Sequence, residues 1–235
     1  MASGKGATID RHDAREQGAY TLAEAARYVR VAPATLRSWT LGRGYATAGG
    51  ARRFRPLIHP PSHGESILSF NNLIEAHVLR SLRTDHGVPL HAVRQAVQYA
   101  ERALMIDRLL LRRDLLTDAG QVFLDRYGEL LNLSASGQLA MRRLFQEHLK
   151  RVDWDKWQFP VRLFPFVTTE RTMADRPIAI DANVAFGRPI VLKVGVATRA
   201  IADRIDAGES VEDLAADYGL TAGEVEEAVL YERAA

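Results

Sequence analysis

Thr35, Arg37 and Ser38 fall within four consecutive positions, and a helix that turns Leu36 and Trp39 inward leaves them facing out beside Ala34. Short hydroxyls and a guanidinium can donate to phosphate oxygens and base edges, which is the chemistry of a DNA-reading helix. A second set of cations follows in Arg43, Arg52, Arg53 and Arg55, interleaved with Tyr45 and Phe54 and punctuated by glycines at 42, 44, 49 and 50. Arginines beside a Gly-rich tip can reach phosphates or a narrow minor groove. Other chemistry is weakly supported. The histidines at 12, 59, 63, 77, 86, 91 and 148 show no HExxH spacing. His59, His63 and Glu65 lie close together, but in a Pro-flanked loop without a fourth ligand;. Cysteine is absent, which excludes disulfides and thiolate sites;. No phosphate loop follows a strand and no nucleophile elbow is present. Neither an enzyme nor a metal or cofactor is expected.

The elements that position the first set begin at Thr21 and Glu24, a T-x-x-E capping pair;. Leu22, Ala25, Ala26 and Val29 then make one apolar stripe at helical spacing, and Pro33 suits the first turn of a second helix. Two short strands around the glycines give a β-hairpin wing. The same residues also fit a helical hairpin inside a bundle, with the arginine cluster as a solvated loop. Residues 1–18 read as a mobile arm. Beyond Pro56, Pro60 and Pro61, helices are expected from Ser69 or Asn71 and from Gly87–Pro89. Asp118–Gly120 and Tyr127–Gly128 are turn signals, so residues 115–133 read as a small sheet. A helix from Ser134 or Ser136 and a β-region from Phe159 to Val191 follow.

Net charge is only +2, and no apolar run is long enough to span a membrane, so a cytoplasmic protein is expected;. The distribution of charge says more. Residues 20–55 carry seven arginines and one acid, whereas residues 195–235 carry three arginines and ten acids. A basic head and an acidic tail point to unlike partners. The tail repeats the frame of the head. Ser210 with Asp213 and Thr221 with Glu224 are capping pairs, and helices are expected near 198–207, 211–218 and 222–233. Val211, Leu214, Ala215, Leu220 and Val225 occupy the places of Leu22, Ala25, Ala26, Val31 and Leu36. Glu224, Glu226 and Glu227 then stand where Thr35, Arg37 and Ser38 stand in the head. Carboxylates repel phosphates, so the tail reads as a protein-contact or dimerisation module. The fold class is mainly α with small β elements: a winged helix-turn-helix over 19–112, a central α+β region over 113–176 and a three-helix helix-turn-helix over 177–235.

Residues 20–39 with the arginine wing resemble the winged helix-turn-helix of MerR-type regulators, although Arg30 stands where such proteins have Gly and Ala32 where they have a capping Ser. The stretch FGRPIV…AIADRIDAGESVEDLAADYGLTAGEVEEAV resembles a C-terminal domain found in VapB-like antitoxins. That second resemblance implies an antitoxin that neutralises a VapC-type toxin, a PIN-fold ribonuclease whose Mg²⁺ is held by acidic residues. It also implies a homodimer that represses its own operon through operator DNA. An arginine fork suits an acidic pocket, which makes Arg162, Arg171, Arg176 and Arg188 candidate toxin contacts. The alternative is a stand-alone MerR-like regulator.

Overall fold

The Thr21 hydroxyl accepts from the Glu24 N–H, and the Glu24 carboxylate accepts from the Thr21 N–H at 2.9 Å. This reciprocal cap starts helix α1, Leu22–Tyr28;. The helix stops where Arg30 takes φ 52° and the Val31 N–H donates to the Ala26 carbonyl at 2.9 Å. It is a Schellman stop with an arginine in the position glycine usually fills. Pro33 is the first residue of α2, Pro33–Thr40, and Ala32 before it supplies no side-chain cap. Strands β2 (Arg43–Thr47) and β3 (Gly50–Phe54) pair antiparallel, Tyr45 opposite Arg52, and form the wing. The computed structural model describes residues 13–47, 50–54, 56–62, 66–84, 90–113, 118–130, 149–165 and 176–233, with a few single positions between 134 and 147.

Residues 13–18 are tied down, where the sequence suggested an arm. Asp13 caps a single 3-10 turn at Ala14–Glu16, and Arg15 donates to Asp13 and, at 2.8 Å, to Asp155. Strand β1 (Gly18–Thr21) then pairs antiparallel with β4 (Ile67–Ser69). Ser69 and Asn72 cap each other at the start of α3, Phe70–Thr84. This helix is buried along both sides from Asn71 to Leu79. Its polar members are therefore paired: Asn71 donates to Glu16, and Glu75 accepts from Asn72 and Arg108;.

Helix α4 (Leu90–Leu104) packs against α5, Asp118–Leu130. The turn signals predict a small sheet over 115–133, but residues 118–130 form a single helix. Phe123, Leu124 and Tyr127 share one buried side at helical spacing, with Phe123 and Tyr127 stacked 5.6 Å apart. Gly128 is not a turn residue. A Cβ there would come within 2.8 Å of the Gln138 side chain, so the glycine marks close packing.

The C-terminal half is built on a five-stranded antiparallel meander in the order β5 (Val152–Trp154), β6 (Pro160–Leu163), β7 (Ile178–Asp181), β8 (Pro189–Val191) and β9 (Val196–Ala197). Helices α6 (Thr198–Asp206), α7 (Val211–Tyr218) and α8 (Ala222–Arg233) follow, close to the expected bounds. Strand β7 is buried along its whole length. Ile180 joins the core of the N-terminal helices, Ile178 joins the core of α6–α8, and Ala179 packs with Ile190 and Phe164. One strand thus serves both ends of the chain.

The turn between β7 and β8 is clamped to the first helix pair. The buried Tyr20 hydroxyl donates to the Gly187 carbonyl at 3.0 Å, and Arg188 binds the Glu24 carboxylate. Gly187 has φ +74°, and a Cβ on it would lie 2.2 Å from the Tyr20 oxygen. Tyr20→Phe should lower stability by about 1 kcal/mol, the loss of one hydrogen bond. Gly187→Ala should cost roughly 2–4 kcal/mol from overpacking and left-handed strain. Urea unfolding of both variants checks the order. Equal midpoints would show that the turn adjusts freely.

Candidate nucleic-acid interface

Leu36 and Trp39 are fully buried against α1, which fixes the rotation of α2 about its axis. Arg37 is consequently exposed, with Thr35 and Ser38 half-buried on its flanks. The Ser38 hydroxyl donates to the Thr35 carbonyl at 2.8 Å, so it meets a ligand as an acceptor unless it rotates;. Arg43 is exposed at the start of β2. Arg52 and Arg53 lie on β3, opposite Tyr45 and Gly44. Arg55 lies outside the described residues. The backbone therefore brings Thr35, Arg37, Ser38 and the wing arginines onto consecutive elements, as a DNA-reading surface requires.

The C-terminal pair has the same frame and a different environment. Gly219 takes φ 64°, and the Leu220 N–H donates to the Ala215 carbonyl at 2.9 Å, the same stop that Arg30 and Val31 make. Thr221 and Glu224 form a reciprocal cap where Ala32 and Thr35 form none. The carboxylates expected to face outward are divided. Glu226 is exposed, Glu224 is engaged by Thr221 and Lys193, and Glu227 is buried. The reason is that α8 packs on several sides at once, with Val225, Ala228, Val229, Tyr231 and Glu232 also buried.

One of those sides meets α1. Arg27 donates to Glu232 at 2.9 Å, and the same carboxylate accepts from the Thr198 hydroxyl at 2.5 Å. Sequence reasoning identified none of Tyr20, Arg27, Arg188 and Glu232 as tying the two ends together, because their partners lie more than 160 residues away. Glu24 was legible as a cap but not as the partner of Arg188. Burial raises the Glu24 pKa, but the Thr21 donors and the Arg188 guanidinium outweigh it and hold the carboxylate below its ordinary value.

The candidate toxin contacts have internal partners. Arg162 sits between Asp153 and Asp181, at 3.4 and 3.1 Å. Arg176 lies over the Phe164 ring and donates to the Lys150 carbonyl at 2.8 Å. Arg188 binds Glu24, and Arg171 lies outside the described residues. Among the described residues no three His, Asp or Glu side chains are grouped to hold a metal, and no helix is long and apolar enough to cross a membrane. His63 and Glu65 lie outside the described residues.

Comparison with known proteins matches these two ends. Residues 18–97 fit the family model described as "Putative DNA-binding HTH domain", and residues 178–231 fit that described as "Protein of unknown function (DUF433)". A curated relative from Mycobacterium tuberculosis, named "Putative antitoxin VapB45", is 27% identical over 228 residues, covering 89% of this chain and 92% of the relative. The resemblance to VapB-like antitoxins thus extends well beyond the tail. The crystal structure of Rv2018 from Mycobacterium tuberculosis shares the fold, with a TM-score of 0.67 at 22% identity over 91% of this chain and 98% of that one.

The Glu232 side chain is only 3% exposed, so Arg27→Ala leaves a carboxylate that must find a new counter-charge. The loss should approach 3 kcal/mol, more than a surface pair contributes. Arg27→Ala with Glu232→Gln should cost clearly less than the two single losses added together, and a thermal-unfolding double-mutant cycle checks this. Acid should loosen the neighbouring tie. Glu24 titrates lower when folded than unfolded, so its contribution is full above the ordinary carboxylate range and is lost as pH falls below that range;. Arg188→Ala should flatten that part of the stability–pH curve.

Proposed function

We propose that this chain is the antitoxin of a type II pair, binding and neutralising a VapC-type PIN-domain ribonuclease and repressing its own operon as a homodimer on operator DNA. The carrying observation is the contrast between two helix pairs of one frame. The N-terminal pair leaves the second helix free, with Arg37 exposed and the wing beside it. The C-terminal pair packs its second helix against α1 through Glu232 and Arg27. Only the first presents a cationic face on a helix of the right kind for a duplex.

In this reading Arg37, Arg43, Arg52, Arg53 and Arg55 neutralise phosphates, and Thr35 and Ser38 lie nearer the base edges. Similarity to an antitoxin-named relative along most of the chain supports a toxin as the second partner. Any toxin contact through Arg162, Arg176 or Arg188 has to displace an internal partner of that arginine. No catalytic step is assigned to the chain itself.

Binding of the full chain to DNA from upstream of its own gene, titrated against salt, tests the first half. Arg37→Ala should weaken binding across sequences and flatten the slope of log K against log salt by about one. An unchanged slope removes Arg37 from the interface. Co-expression with the product of an adjacent ribonuclease-type gene tests the second half, through rescue of growth and co-purification.

A further inference from the structure

Because the meander strands alternate in direction, the β5–β6 turn and the β7–β8 turn leave the sheet at the same end. Two strand spacings separate them, roughly 10 Å. Each presents an aromatic ring to solvent: Trp157 is 61% exposed and Phe186 92%. These are the two most exposed aromatic side chains among the described residues.

Both turns hold non-glycine residues in the left-handed region, Gln158 at φ 68°, Ala185 at φ 47° and Phe186 at φ 54°. Such conformations persist when their surroundings enforce them. The surroundings do so here. The Asp155 carboxylate accepts from the Trp157 and Phe159 N–H groups, both at 2.9 Å, and from Arg15. Gly187 and Arg188 are held by Tyr20 and Glu24. The fold thus holds the backbone on either side of Phe186 while burying almost none of its ring. Exposed aromatics on a pre-organised support have the form of interface anchors.

We propose that Phe186 and Trp157 are paired anchors for the toxin, inserted into an apolar cleft with an acidic rim; the partner's identity rests on the antitoxin reading above. The charges around the rings support that chemistry. Lys156 and Arg113 lie on the Trp157 side, with Lys156 4.3 Å from the Trp157 ring centre and Arg113 donating to Gln158 at 3.1 Å, while the Arg188 charge beside Phe186 in sequence is matched by Glu24. The nearby Asp155 and Asp181 are occupied by backbone N–H groups and arginines within the fold.

Two other occupants fit less well. A two-fold contact with a second copy needs a patch complementary to itself, and two convex rings are not. Two aromatic side chains bury roughly 300–500 Å², short of the roughly 800 Å² per partner of a stable interface. They are therefore anchors within a larger contact surface of this chain. Residues 1–12 of this chain have only Met1 and Ile9 as large apolar side chains, which is too little to cover both rings.

The test uses the full chain with Phe186→Ser, Trp157→Ser, both together, and Leu230→Ser as an exposed control elsewhere. Each is co-expressed with the adjacent toxin-type gene product and assayed for affinity to it, for operator binding and for oligomeric state. The proposal expects about thirtyfold weaker toxin binding for Phe186→Ser, a further loss in the double variant, and unchanged operator binding and thermal midpoint. If the wild-type chain binds the toxin and the double variant binds it equally, the surface assignment falls while the antitoxin reading stands. If the wild-type chain does not bind it, both fall. Loss of self-association with toxin binding intact gives the patch to a second copy. Protection of Trp157 that disappears in a chain lacking residues 1–12, with toxin binding unchanged by the deletion, gives it to the chain's own start. Either result overturns the proposal.

Discussion

The Glu24 carboxylate makes two ties that belong to different levels of the structure. It closes the N-terminal cap of α1 by accepting from the Thr21 N–H, and it binds the Arg188 guanidinium from the far side of the chain. A cap is local and worth about 1 kcal/mol wherever it occurs. Here the same oxygen pair also fixes where the sheet meets the helix pair. Helix α2 takes its direction from α1, because Leu36 and Trp39 are buried against the core that α1 joins. The orientation of Arg37 is therefore linked, through α1, to the β7–β8 turn.

Strand β7 extends that link. Its four residues are buried, and successive inward side chains belong to different cores. A one-residue shift of register would move every side chain of such a strand to the opposite face and so out of the core it belongs to. The two ends of the chain are thus held against one another by apolar packing, with Arg27–Glu232 and Glu24–Arg188 placed at the rim of the contact. Packing supplies most of the free energy, and the ion pairs select the alignment, since a mismatch would leave a buried carboxylate unpaired.

Much of this was legible in the sequence where the cause is local. The caps at Thr21, Ser210 and Thr221, the stop at Gly219, and the inward Leu36 and Trp39 all follow from spacing within one or two turns. The shared frame of the two ends was legible for the same reason. Helix α5 was misread because Gly120 and Gly128 look like turn residues, and only the close approach of Gln138 shows why a glycine sits within the helix. The outward face of α8 was overstated: periodicity cannot reveal that Glu227 and Glu232 are covered by elements distant in sequence. The partners of Arg162, Arg176 and Arg188 were equally out of reach, since an arginine in a β-region reads alike whether it faces water or a carboxylate.

The two helix pairs differ most in how each is stabilised. The C-terminal pair has glycine at its left-handed stop and a full reciprocal cap on its second helix. The N-terminal pair has Arg30 in the left-handed position and no side-chain cap at Ala32, deficits of roughly 1 kcal/mol each;. Local sequence thus favours order in the C-terminal pair and is weaker in the N-terminal one. The N-terminal pair gains support from contacts beyond itself: Tyr20 on Gly187, Glu24 on Arg188 and Arg27 on Glu232. The C-terminal half thus contributes to the support of the basic head through these three contacts.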